Sequence, residues 1–134
     1  MDGTWKQAVT AVEKQRPLVR NAAFVAQSVP SVMQAGKSYA VSITMRNTGT
    51  TNWGWEGYKL GSQVPADSTI WGTGRATLNT SPSEIVLPGQ TKTFAFTVTA
   101  PSTPGTYPFQ WRVLQEGVEW FGTASPLLQV SVVQ

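Results

Sequence analysis

The sequence predicts an all-β fold, an antiparallel β-sandwich of seven to eight short strands in two sheets. Three observations carry this. After residue 20, apolar residues recur with period two in several separate stretches, the spacing that puts them on one face of a strand. Gly, Pro, Asn and Ser clusters interrupt these stretches roughly every 8–12 residues, as in a sandwich. Only 13% of the residues are charged, too few for the solvated faces of a helical bundle, and no helical period follows residue 20.

Residues 1–20 stand apart. They hold six of the 17 charged residues, four cations (Lys6, Lys14, Arg16, Arg20) against two acids (Asp2, Glu13), a net of +2. They show no strong period and are expected to be a linker or the tail of a preceding domain, with the folded domain spanning 21–134. The opening MDGTWKQAV has an early acid and no apolar core, so it is not expected to be a secretory signal.

Phe24 to Val29 is an apolar run closed by Pro30, which suits an edge strand. Tyr39, Val41, Ile43 and Met45 then alternate with Ala40, Ser42, Thr44 and Arg46, giving a half-buried strand that Asn47-Thr48-Gly49 ends. Tyr58 to Leu60, Ile70-Trp71 and Ile85 to Leu87 read as short strands among Gly- and Pro-rich loops. Phe94, Phe96 and Val98 form the second clear alternation. Tyr107, Phe109, Trp111 and Val113 form the third, followed by a hairpin at Gln115-Glu116-Gly117 with a return at Val118 to Phe121. Leu128, Val130 and Val132 make the last strand. The predicted core is Tyr39, Val41, Ile43, Phe94, Phe96, Val98, Phe109, Trp111, Val130 and Val132.

The net charge of +3 comes from few charges rather than a basic surface, and no Lys/Arg cluster is dense enough to track a phosphate backbone. Nucleic acid is therefore not an expected partner. No run of about 18 apolar residues is present, so no membrane insertion is expected. With no Cys there is no disulfide framework, and with no His there is no Ser-His triad, imidazole base or His metal site. Glu116 and Glu119 flank the hairpin and could lie close together, as a carboxylate pair must, but a hairpin tip is exposed, and an enzyme is not expected. Asp67 with Ser68 is the best start of a cation site, but a solvated loop aspartate is the favoured explanation. No cofactor or metal is expected.

The tryptophans pose the functional question. Trp53, Trp55, Tyr58 and Trp71 lie close together in loop-rich sequence and could form a platform for sugar rings. The competing role is packing, because a buried aromatic removes roughly 150–250 Å² from water. Trp111 is in phase with Phe109 and Val113 and is expected in the core. Trp53 follows a turn and is expected to cap one end of the sandwich. Trp120 and Phe121 are neighbours on a strand, so one of them must face outward. Trp55, between Gly54 and Glu56-Gly57, is the best candidate for an exposed ring.

The motifs NTGTTNWG, GYKLGSQ, TIWG, LPGQTKTFAFTVTAPSTPGTYPFQWRV and QEGVEWFG, in this order, resemble the four-tryptophan (FW) domain. That family is the immunoglobulin-like central module of a selective-autophagy cargo receptor, and similar modules occur in bacterial multidomain proteins. The resemblance covers about residues 21–134 and identifies Trp53, Trp71, Trp111 and Trp120 with the family's tryptophans, leaving Trp5 and Trp55 as extra. It implies an immunoglobulin-like antiparallel β-sandwich of two sheets with no catalytic centre, in a bacterial-type copy. The expected function is a non-catalytic interaction module of a larger protein, extracytoplasmic or at the cell surface and monomeric as an isolated domain. It would bind a protein partner through tryptophan-bearing loops or a strand edge. The candidate binding residues are Trp55, Tyr58, Trp71 and Trp120. A carbohydrate- or cell-wall-binding module and a structural spacer are the alternatives.

Overall fold

A computed structural model describes residues 18–54, 56–78 and 84–134. The expected tail before residue 18, Trp5, Trp55 and most of the 79–84 loop lie outside the described residues. The described chain forms strands β1 (Ala22–Ser28), β2 (Val32–Gln34), β3 (Ser38–Asn47), β4 (Tyr58–Ser62), β5 (Arg75–Thr77), β6 (Thr91–Thr99), β7 (Gly105–Phe109), β8 (Trp111–Gln115), β9 (Glu119–Phe121) and β10 (Leu128–Val133).

One layer is β1-β3-β6. The other joins the sheets β2-β10-β7 and β5-β4-β8-β9. The join explains why the strands outnumber the expected seven to eight. The alternating run 105–115 is one line of chain that breaks at Gln110, whose carbonyl turns aside to accept from Gln63 N at 2.8 Å. Before the break it pairs with β10, and after it with β4 and β9. The returning chain breaks likewise at 122–127, where Ser125 is buried and exchanges bonds with the Trp111 backbone. Pairing is antiparallel except where β2 lies parallel to β10, an arrangement not expected from the sequence.

The predicted core phases hold. Val41, Ile43, Phe94, Val98, Phe109, Trp111, Val130 and Val132 are buried, and Tyr39 and Phe96 pack partly buried against them. Phe96 from one layer meets Trp111 from the other edge-to-face at 4.9 Å, which places the aromatic contact between the sheets. Ile70-Trp71 is a turn rather than a strand, and of Ile85 to Leu87 only Val86 pairs, as a bridge to Trp53.

Asn47 shows how the first loop is held. It is fully buried at the end of β3, and its Nδ2 donates to Thr51 O at 2.8 Å and Val86 O at 3.0 Å. Its Oδ1 accepts from Gly49 N. A buried amide must satisfy its groups, and here it does so by folding the loop over itself. Trp53 is thereby delivered to the core, bonded to Val86 through both backbone groups.

Candidate functional site

The described tryptophans divide in two. Trp53, Trp71 and Trp111 are buried in one cluster, and Trp120 is partly exposed on the outside of the second layer. Trp53 packs against Phe121 at 6.0 Å. Trp71 meets Phe109 edge-to-face at 5.5 Å, and its Nε1 donates to Pro108 O at 2.8 Å. Its carbonyl accepts from Thr99 N at 2.8 Å, so the 63–74 loop folds back across β6 and tucks the ring inside.

Two of the expected binding residues are corrected by this placement. Trp71 is enclosed between Tyr107 and Phe109. Tyr58 is buried and meets Phe121 edge-to-face at 6.2 Å, because β4 turns its odd phase outward and its even phase inward. Neither ring offers a face to a ligand. Trp55 lies outside the described residues. Trp120 remains.

Its orientation follows from strand parity. Phe121 faces the core, so Trp120 must face out. On that outer face it pairs across strands with Leu114, which pairs in turn with Lys59. Leu114 is buried yet stands apart from the main core cluster, a small apolar site under the tryptophan on the wrong side of the sheet. Gly61 makes this possible. A Cβ there would lie 2.5 Å from Trp120 Cη2 and 3.0 Å from Leu114 Cδ2, so only glycine lets the indole settle onto the strand.

Arg75 covers the indole. Its guanidinium sits 5.0 Å from the ring centroid, within cation–π range. Its Nε donates to Glu116 at 3.2 Å and its Nη2 to Asp67, while Lys59 lies 3.6 Å from Glu116. Glu119 pairs with Arg20 at 3.4 Å and Glu84 with Lys92. Glu116 and Glu119 thus each face a cation rather than one another, and Asp67 is an arginine partner. Arg112 donates its Nε to Gly122 O at 2.8 Å. Arg75, Leu114, Glu116, Val118 and Trp120 line a shallow concavity of about 240 Å³. Val118 stands 54% exposed at its rim, on a hairpin whose tip uses Gly117 at positive φ. Among the described residues no group of three or more acids gathers to hold a metal ion.

Sequence reasoning passes over Arg75 and Leu114. Leu114 is legible in principle, being an apolar residue on the outward phase of a strand opposite Trp120. Arg75 carries no local signal, since only the β4–β5 pairing brings it over the ring.

The model of a family described as the Ig-like domain from next to BRCA1 gene matches residues 28–132. The chain belongs to this family. The Ig-like assignment agrees with the sandwich and its layers. No curated protein matches the chain in sequence. Among solved structures, the CARDB domain of a Pyrococcus furiosus protein is similar at a TM-score of 0.50 and 17% identity, over 85% of this chain and 94% of that one. That likeness shows the fold. A β-glucosidase from Listeria innocua, solved with glucose, gives a TM-score of 0.43 and 14% identity over 87% of this chain. The aligned region is 16% of the enzyme.

Proposed function

We propose that this Ig-like domain is a non-catalytic interaction module of the four-tryptophan type within a larger protein, and that it binds a protein partner on the outer face of the β5-β4-β8-β9 sheet. The observation that carries this is Trp120, an indole held outside the core on Gly61 and Leu114, beside exposed Val118 and beneath Arg75. Tryptophan and arginine with an apolar neighbour make a usual anchor for protein interfaces. The ion pairs of Arg75 to Glu116 and Asp67 are solvent-facing and weak, so a partner can rearrange them at low cost.

The carbohydrate alternative needs a free ring face for a sugar to stack on. Tyr58 and Trp71 are enclosed, so among the described residues Trp120 is the one ring of this sheet a sugar could stack on, and stacking there would displace Arg75.

A photo-crosslinking residue at Val118, with the domain in its natural protein, is expected to capture a protein partner. Capture is expected to disappear in a Trp120→Ala background and to be absent from Val25, on β1 of the other layer. Equal capture from both positions would overturn the proposal. So would binding of a polysaccharide that Trp120→Ala abolishes.

A further inference from the structure

β6 is an outer strand of its layer, bonded to β3 on one side. Neighbouring bonds fix which way its backbone groups point. Asn47 N bonds Gln90 O, and Ala100 N bonds Lys37 O, both on the β3 side. Even-numbered residues of β6 therefore turn toward β3 and odd-numbered ones away from it. At one end the outward Thr99 N is taken by Trp71 O. At the other, Lys92 is tied to Glu84. Between these ends the N–H and C=O groups of Thr93, Ala95 and Thr97 face outward with no protein partner among the described residues.

Open edges are usually protected by a charge, a proline or a bulge. The segment 93–97 has none of these. Its side chains at 93, 95 and 97 are exposed, and a concavity of about 160 Å³ separates Thr93, Phe94 and Ala95 from Thr77, Leu78 and Glu84. Phe96 faces inward, meets Trp111 and is only partly buried.

The segment reads Thr-Phe-Ala-Phe-Thr, the same in both directions. We propose that β6 pairs antiparallel with β6 of a second copy of this chain, about a two-fold axis through Ala95. In that register Ala95 faces Ala95, Thr93 faces Thr97, and Phe94 faces Phe96. Every outward N–H meets an outward C=O, and Thr–Thr and Phe–Phe cross-strand pairs form. The contact is isologous, as a two-fold dimer requires. It merges the two β1-β3-β6 sheets. A partner strand of unrelated sequence would satisfy the same backbone groups, but only a second copy makes use of the palindrome. This inference replaces the expected monomer and is independent of the Trp120 face, which lies on the other layer.

Sedimentation equilibrium of the 134-residue chain is expected to show a concentration-dependent dimer. Ala95→Lys sets like charges across the axis and should weaken association by about tenfold or more. It should leave the circular-dichroism spectrum unchanged, since position 95 is exposed. Val25→Lys, on the opposite edge strand β1, should leave the dimer intact. The chain has no cysteine of its own, so a crosslink tests the register. Hydrogen-bonded antiparallel partners have Cα atoms about 5.5 Å apart, within disulfide reach. Ala95→Cys should therefore form a disulfide-linked dimer under mild oxidation, and Thr93→Cys should not. A chain that sediments as a monomer at every concentration would overturn the proposal. So would a dimer that Ala95→Lys leaves untouched, or Thr93→Cys crosslinking as readily as Ala95→Cys.

Discussion

Trp111 and Trp120 lie nine positions apart on paired strands, and the sheet separates their environments. Trp111 stands between the layers against Phe96 and Phe109, and Trp120 lies on the outer surface under Arg75. The difference arises from strand parity alone, since both belong to the same sheet. It teaches that a repeated residue type need not share a role. Trp53, Trp71 and Trp111 hold the layers together, whereas Trp120 decorates one of them.

The comparison is broken most severely by emptying the inner set. Trp111→Ala is expected to destabilise the domain by about 3–5 kcal/mol, and Trp120→Ala by about 1–2 kcal/mol, because the outer ring is only partly buried and leaves no enclosed cavity. Chemical denaturation of the two variants checks the order.

Asn47→Ala comes next. It strips the amide that holds the Trp53 loop and takes the Asn47 partner from Thr51 O and Gly49 N, while Val86 O keeps the Trp53 N–H. The expected loss is about 2–3 kcal/mol, read by thermal and denaturant unfolding.

A finer distinction lies within the inner set. The indole N–H of Trp71 donates to Pro108 O, whereas those of Trp53 and Trp111 have no partner among the described residues. The stability lost in Trp71→Phe should therefore exceed that lost in Trp111→Phe by about 1 kcal/mol, measured by the same unfolding curves.

The smallest effect concerns the outer ring. Gly61→Ala would press a methyl against Trp120 Cη2, the free end of a surface side chain. The indole should lift away, with a red-shifted fluorescence maximum and a stability change of about 1 kcal/mol. In a Trp120→Ala background most of that penalty should vanish, which a double-mutant cycle detects.

How far the sequence reveals this arrangement depends on where the signal is local. Alternation alone places Val41, Ile43, Phe94, Val98, Phe109 and Trp111 inside, because period two admits one buried face. The adjacency of Trp120 and Phe121 states that one ring faces out, and the burial of Phe121 shows which. Trp71 and Tyr58 mislead because loop-rich composition suggests exposure. The closing of the 63–74 loop onto Thr99 and Pro108 is a long-range event with no local signature. The same holds for Arg75 above Trp120, which depends on the pairing of Arg75 with Gly61 across β4 and β5.

Hydrogen exchange at the indole nitrogens tests the division directly, since each tryptophan gives its own Nε1–H signal. After transfer to heavy water, the signals of Trp53, Trp71 and Trp111 should persist toward the lifetime of global unfolding, and that of Trp120 should vanish far earlier. Protection of Trp120 equal to the others, or loss of any inner indole as fast as Trp120, would contradict the division of the tryptophans into an inner set and an outer one.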